Sequence, residues 1–513
     1  MSNNSVNNKR IAKNTLLLYV RMFFVMAVTL FTSRVVLATL GVTDFGIYNV
    51  VGGVVAMMGI LNNAMAVSTQ RYLTFELGRG DAVRLKQVFC MCLAIFVMLA
   101  VVVVVLGETV GLWFLNSKMT IPADRMVAAN WVYQFSILAC VASLIVTPYN
   151  AVIIARERMN VYAYVGILEV VLKLAVVYLL LVIPVDRLTT YGLLILLSQI
   201  VIAVIYMLYC TRHFAEARYR VYWDGSLFRE LVSYSGWNLF GSAAGVVKGQ
   251  GLNILLNMFF TPAVNAARGI AYQVNAAITQ FFTNFYTAVR PQITKYYAQG
   301  DMEEMTKLIF RSSKMSFYLI MLISMPVIIE APYIVSLWLG QLPEYVVPFT
   351  RLIIAISAIS AIDAMASPLM TAAHATGHIR LYQSSVGTMV MLNIPVSYVF
   401  LRLGFPPLTV FYVSLAISVV CLFMRLWIVR RLMPFPVKEY VVRVFGTSLA
   451  VCTLATIAPV AVHIAVDGNI HTVLSVCALS LLSCAVSIYY VGLDRHERKF
   501  VAGIVRKKIL HKQ

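Results

Sequence analysis

Charge is scarce in this chain, and acid scarcer still: only 12% of its 513 residues are charged, with 21 Asp and Glu against 41 Lys and Arg and a formal net charge of +20. A soluble protein carries about twice that share of charge. The mean hydropathy is +0.83, and apolar runs long enough to cross a bilayer recur along the chain. The composition excludes a soluble globular protein and specifies an all-α polytopic membrane protein. Signatures of hydrolysis are also missing. There is no GxxxxGK[ST] loop, no HExxH, no nucleophile elbow and no loop large enough to be a nucleotide-binding domain. No enzymatic activity, cofactor or metal is therefore expected. The eight cysteines (Cys90, Cys92, Cys140, Cys210, Cys421, Cys452, Cys477 and Cys484) lie within or at the ends of apolar segments, without metal-site spacing. They read as packing residues, with no disulfide framework. His374 and His378 are four residues apart in HATGHIR, but Gly377 separates them and no acid or cysteine is near, so both read as loop residues.

What is present is a succession of hydrophobic runs divided by charged or Pro/Gly-containing breaks. They predict fourteen spans, among them 14–38, 45–68, 230–257 and 263–289. The first run is too long for a signal-peptide core and lacks a small-residue cleavage pattern, so the N-terminus is expected to be retained. With that terminus inside, the inner segments hold 30 basic residues and the outer loops 4. That bias places both termini in the cytoplasm and explains the positive charge without nucleic acid as a partner. The tail RHERKFVAGIVRKKILHKQ reads as a basic segment on the inner leaflet, anchoring topology by contact with membrane lipids.

Two predicted spans are unusually wet. The stretch 229–290 carries Asn238, Lys248, Gln250, Asn253, Asn257, Asn265, Arg268, Gln273, Asn275, Gln280 and Asn284. Polar side chains are expensive in hydrocarbon, so these helices should face a cavity, lined in part by Asn253, Asn257, Gln273 and Asn275. The first pair of spans is also polar, with Arg21, Arg34, Asn49, Asn62 and Asn63. A slide of 223 residues superimposes Gly46-Ile47 on Gly269-Ile270. Six intervening spans make such a repeat parallel. The expected organisation is an N-terminal six-helix lobe (1–215), a second six-helix lobe (216–432) related to it by a parallel pseudo-two-fold, two further helices (433–493) and a basic tail (494–513).

Seven basic residues fall inside spans: Arg21, Arg34, Lys173, Lys248, Arg268, Arg351 and Arg425. Only Glu169 and Asp363 oppose them as intramembrane acids. Arg34, Arg268, Arg351 and Arg425 are close enough to predicted boundaries to snorkel. Lys173 follows Glu169 by one turn, in the order that favours mutual neutralisation. Lys248 is too deep to snorkel and has no acid within a turn; an unpaired cation there costs about 2.5–3.5 kcal/mol unless it is solvated. Asp363 and Glu169 are candidate proton or sodium sites for coupling, and Asp363 is equally a candidate partner for an arginine.

The stretches TLGVTDFGIYNVVGGVV (39–55), TPYNAVIIARERM (147–159) and ILEVVLKLAVVYLL (167–180), within a fourteen-span chain of cationic interior, resemble the bacterial Wzx-like oligosaccharide flippases. Those belong to the MOP superfamily, with the MATE exporters and the MurJ lipid flippase. The resemblance covers nearly the whole chain through diffuse motifs. It implies a monomer in the bacterial cytoplasmic membrane that exports a polyprenyl-diphosphate-linked oligosaccharide for surface polysaccharide or lipopolysaccharide assembly, by alternating access of the lobes. It also implies an anionic cargo attracted by basic cavity residues, for which Arg21, Arg34, Lys248 and Arg268 fit. A MATE-type drug or cation antiporter is the alternative inside the superfamily, and would call for unpaired membrane carboxylates. An integral-membrane glycosyltransferase or polymerase, the third reading, would call for a sizeable extramembrane loop.

Overall fold

The computed structural model describes residues 3–56, 59–118, 121–182, 186–260, 262–331, 333–334, 346–465, 470–494 and 497–498. Among them no strand occurs, and the chain has the fold of a polytopic all-helical membrane protein. Eleven helical stretches are long and apolar enough to cross a membrane. Three predicted spans are not among these eleven: the second, seventh and eighth. They are the polar ones, and length is not the reason, because the helices carrying them run to 21, 35 and 37 residues.

Two compact units divide the chain: Met1–Ala243 with Thr294–Gly300, and Ala244–Ile293 with Asp301–Gln513. The first contains α1 (Asn3–Ala56), α2 (Gly59–Arg79), α3 (Ala82–Leu106), α4 (Leu112–Lys118), α5 (Met126–Ala155), α6 (Met159–Val182) and α7 (Arg187–His213), with the opening turns of α8 (Gly225–Phe259) and the last turn of α9 (Pro262–Ala298). Helix α5 is its centre, packing on α1, α2, α3, α6 and α7. Its buried Ala129, Val132, Tyr133 and Ile137 form one apolar cluster with Ile47, Val51 and Leu115. Helix α1 is two helices joined at Gly41, whose φ of 77° is left-handed and favours glycine. Just past that kink, Asp44 accepts from Arg125, which also donates to Asp186 at 2.8 Å, so one guanidinium ties α1 to the starts of α5 and α7.

The second unit contains the remainder of α8 and α9, then α10 (Met302–Ile329), α11 (Val346–Ala375), α12 (Ile379–Met391), α13 (Asn393–Arg402), α14 (Thr409–Leu432), α15 (Val437–Tyr440), α16 (Thr447–Ala465) and α17 (Ile470–Ser487). Helix α11 packs between α10 and α14, and the α16–α17 pair lies against α10. Past α17 the chain is clamped by buried Lys314, 3.4 Å from Asp494 and 3.3 Å from Glu497.

Local geometry repeats between the two halves. Gly80 and Gly300, both left-handed at φ 78° and 75°, precede Asp81 and Asp301, which cap the next helix by accepting from the backbone N–H three residues on. Pro148 and Pro368 sit inside corresponding helices, and Glu157 and Gly377 are left-handed after them, at φ 57° and 82°. Each of these pairs is 220 residues apart, against the 223 read at Gly46 and Gly269. The three-residue difference falls between Ile47 and Gly80, where the first half passes from α1 to α2 while α9 continues unbroken through the corresponding stretch.

His374 is not a loop residue. Helix α11 continues through Ala375, burying His374 edge-on against Tyr382 with ring centroids 5.6 Å apart. All eight cysteines are free thiols, five of them buried. The basic tail beyond Arg498 lies outside the described residues.

Candidate functional site

In the first unit, the stripe Tyr162, Gly166, Glu169 and Lys173 recurs at helical spacing along α6. Arg21 of α1 lies on it. Its guanidinium carbon is 4.5 Å from the centre of the Tyr162 ring, a cation–π distance. The approach depends on Gly166, because a Cβ there would collide with the Arg21 Nε and lie 2.8 Å from its Cζ. Tyr206 of α7 feels the Arg21 charge from another side. Glu169 gives Arg21 no carboxylate, since Lys173 donates to it at 2.7 Å. The in-helix neutralisation expected from the residue order is present.

In the second unit, Lys248 occupies the buried stripe of α8, one turn from Ala244 (0% exposed) and one from Leu252 (1%). Leu252, Leu255 and Leu256 pack with Ala267 and Ala271 of α9 and with Leu352, Ile353 and Ile356 of α11, so this stripe faces protein. Lys248 is half-buried there and feels the charges of Asp363 and Arg425. Among the described residues no carboxylate is within ion-pair distance of it, because Asp363 is taken: Arg425 of α14 lies 3.3 Å away and donates also to the Tyr382 hydroxyl at 3.0 Å. Arg425 is thus an interior side chain, 13% exposed, and not a snorkelling one. Arg268 is half-buried, donates to the Gly249 carbonyl at 2.8 Å and lies 4.7 Å from the centre of the Tyr272 ring. Neutral groups hold it, as they hold Arg21.

The expected polar lining divides. Asn275 accepts from Ser360 at 2.9 Å and Asn253 is half-buried, whereas Asn257 and Gln273 are exposed. Along α9 the buried positions Ala267, Ala271 and Ile278 oppose the exposed Gln273, Gln280 and Thr283, an amphipathic pattern that lowers its hydropathy. Arg351 is exposed, and the side chain of Arg34 lies outside the described residues. Tyr162, Gly166 and Tyr382 are the neighbours that sequence reasoning passed over. The first two share a helical stripe with Glu169, which was a readable signal; Tyr382 meets Arg425 only through the fold.

Both intramembrane acids are answered by a basic partner, while Arg21, Lys248 and Arg268 stand in these sites with none among the described residues. The interior of each unit is biased positive.

No family model matches the sequence, and no curated protein matches it. Solved structures do match the fold. A MATE protein in its straight conformation superposes with a TM-score of 0.69 at 12% identity, covering 83% of this chain and 97% of that one. The outward-facing conformation of a multidrug resistance MATE family transporter of the MOP superfamily gives 0.66 at 14%, covering 82% and 96%. A MOP superfamily transporter from Pyrococcus furiosus, described as having a binding pocket of reverse polarity that suggests a different function, gives 0.65 at 13%, covering 82% and 96%. The chain has the MATE-like transporter fold.

Proposed function

We propose that this membrane protein is a flippase that exports an anionic, polyprenyl-diphosphate-linked oligosaccharide across the bacterial cytoplasmic membrane by alternating access, with both termini in the cytoplasm. The MATE-like fold supports transport, and the imbalance of interior charge supports the sign of the cargo. That imbalance carries the reading: Glu169 and Asp363 are each neutralised in place, and Arg21, Lys248 and Arg268 are left as surplus cations. An anion entering such a field is attracted; a cationic drug is repelled. In this reading Arg21 and Lys248 contact the diphosphate or an acidic sugar, Arg268 and Arg34 add to the field, and Asn253, Asn257, Gln273 and Asn275 hydrogen-bond sugar hydroxyls.

A cation antiporter is the second reading, favoured by the multidrug MATE transporters that share the fold. Under it Asp363 or Glu169 would take a proton or sodium ion, and each would first have to release Arg425 or Lys173. The test is export of the surface glycan in cells carrying Lys248→Ala, Arg21→Ala or Lys248→Arg at matched protein levels. Loss in the alanine variants with retention in Lys248→Arg supports the flippase reading; normal export in both alanine variants removes these residues from the mechanism.

A further inference from the structure

At the end of the first unit that carries its basic loops lies a cavity of about 820 Å³, apart from Arg21 and the residues assigned to cargo. Five elements meet around it: the start of α1 (Lys13, Asn14, Leu17), the end of α2 (Leu77), the α5–α6 turn (Arg156, Glu157, Arg158, Asn160), the end of α7 and its following turn (His213 to Glu216), and the last turn of α9 (Lys295).

Its charges sort into pairs and a remainder. Glu157, 4% exposed, is ion-paired with Lys295, and Glu216, 5% exposed, accepts from Arg156 at 2.8 Å. Lys13 and Arg158 are exposed and have no ion-pair partner among the described residues. Two positive charges therefore face the cavity unanswered. The first turn of α6, a 24-residue helix, begins at this wall with Met159 and Asn160, adding the positive end of a helix dipole.

The backbone shows that the arrangement is maintained against a cost. Glu157 is left-handed at φ 57°, and it is the one non-glycine residue with positive φ among the described residues. Its counterpart 220 residues on is Gly377, which adopts the same conformation freely. A side chain in this region costs about 1–2 kcal/mol. The first half tolerates that where the second avoids it, and the Glu157 carboxylate fixes Lys295 at the cavity wall. Asn14 braces the same turn by donating to the Glu157 carbonyl at 3.5 Å.

We infer that this cavity binds a doubly charged phosphate-class anion, a mono- or diphosphate group contacted by Lys13 and Arg158 and bordered by Arg156, Lys295 and the α6 N-terminus. Two surplus cations match the charge of one such group, about −1.5 to −2 for a phosphate monoester at neutral pH. Leu17 and Leu77 give the wall an apolar margin that a lipid headgroup tolerates as well as a free ion. The inference does not depend on the nature of the transported cargo.

The test uses the full-length protein in phosphate-free detergent and inorganic pyrophosphate as the probe, read as a concentration-dependent rise in Tm. Saturable stabilisation is expected in the wild type. Its apparent Kd should rise at least tenfold in Lys13→Gln and in Arg158→Gln, with the response lost in the double variant and retained in Lys13→Arg and in a distant control, Lys307→Gln. Both altered side chains are exposed, so the unliganded Tm reports whether the variants are folded. Nanodiscs distinguish the source: if phosphatidylglycerol abolishes the pyrophosphate response seen in phosphatidylcholine, a lipid headgroup fills the site, and if both lipids allow it the ligand is a free anion. No saturable response in detergent or phosphatidylcholine, or a wild-type response in the double variant, overturns the proposal.

Discussion

Gly166→Ala separates the positioning of Arg21 from the stability of the fold. The added methyl would occupy the place of the Arg21 Nε and come within 2.8 Å of Cζ and 2.9 Å of Cδ, all atoms of a flexible side chain and none of backbone. The arginine gives way and the helices do not. Replacing a mid-helix glycine by alanine gains about 0.5–1 kcal/mol. Losing the contact with the Tyr162 ring costs about 0.5–1 kcal/mol. The two offset, and the melting temperature should stay within about 2 °C of wild type. Transport should not stay with it. A charge-assisted contact to an anionic group is worth about 1.5–3 kcal/mol, which converts to about 10–100-fold in productive loading. The assay is export of the lipid-linked glycan, or its flipping in proteoliposomes, for wild type, Gly166→Ala, Arg21→Gln and the double variant. The double variant should be no worse than Arg21→Gln alone, because both changes remove one interaction. Wild-type transport in Gly166→Ala, or strictly additive losses, would refute the positioning argument.

Arg425→Met should destabilise the protein by about 3 kcal/mol, the low end for breaking a buried pair because Asp363 stays partly open, and Arg425→Met with Asp363→Leu should recover most of that loss in denaturant or thermal unfolding. Gly80→Ala and Gly300→Ala should each cost about 1–2 kcal/mol, and by similar amounts: both backbones are left-handed and nothing lies within 4 Å of an added Cβ, so the loss is one of conformation alone. At the other end of the first unit burial pushes the Asp186 carboxyl up, but hydrogen bonds from Thr189 and the Arg125 guanidinium outweigh it and hold the group below the ordinary aspartate value of 3.8. Its contribution is therefore full above that value and is lost as pH falls through the lowered one. Melting curves of wild type and Asp186→Asn should differ at pH 7 and converge toward pH 3; a constant gap would contradict the assignment.

Short-range arguments survived comparison with the structure, and those that needed a partner from elsewhere in the chain stopped short. Glu169 and Lys173 are a turn apart, so their pairing follows from order alone. The polarity of α8 and α9 was equally visible, and the same residues keep those helices off the list of apolar spans. Asp363 was left between two roles because its partner lies 62 residues away on α14, and Arg425 passed for a snorkelling residue because depth was judged from span boundaries. Gly166 had no signal of its own: a glycine in an apolar helix acquires meaning only when another chain segment presses on it. The repeat was legible at Gly46 and Gly269 with one register, and the turns add a second that differs by three residues, close to one helical turn. A constant slide cannot see such an insertion.

The ring beneath Arg21 has an implication for speed. An aromatic face steadies a guanidinium without subtracting from its charge, whereas a carboxylate would have cancelled it. An arriving anion meets an arginine already aimed and still fully cationic, and has no rival anion to evict before it docks. When it departs, the arginine returns to the same neutral surface, so neither arrival nor departure waits on the rupture of an internal ion pair.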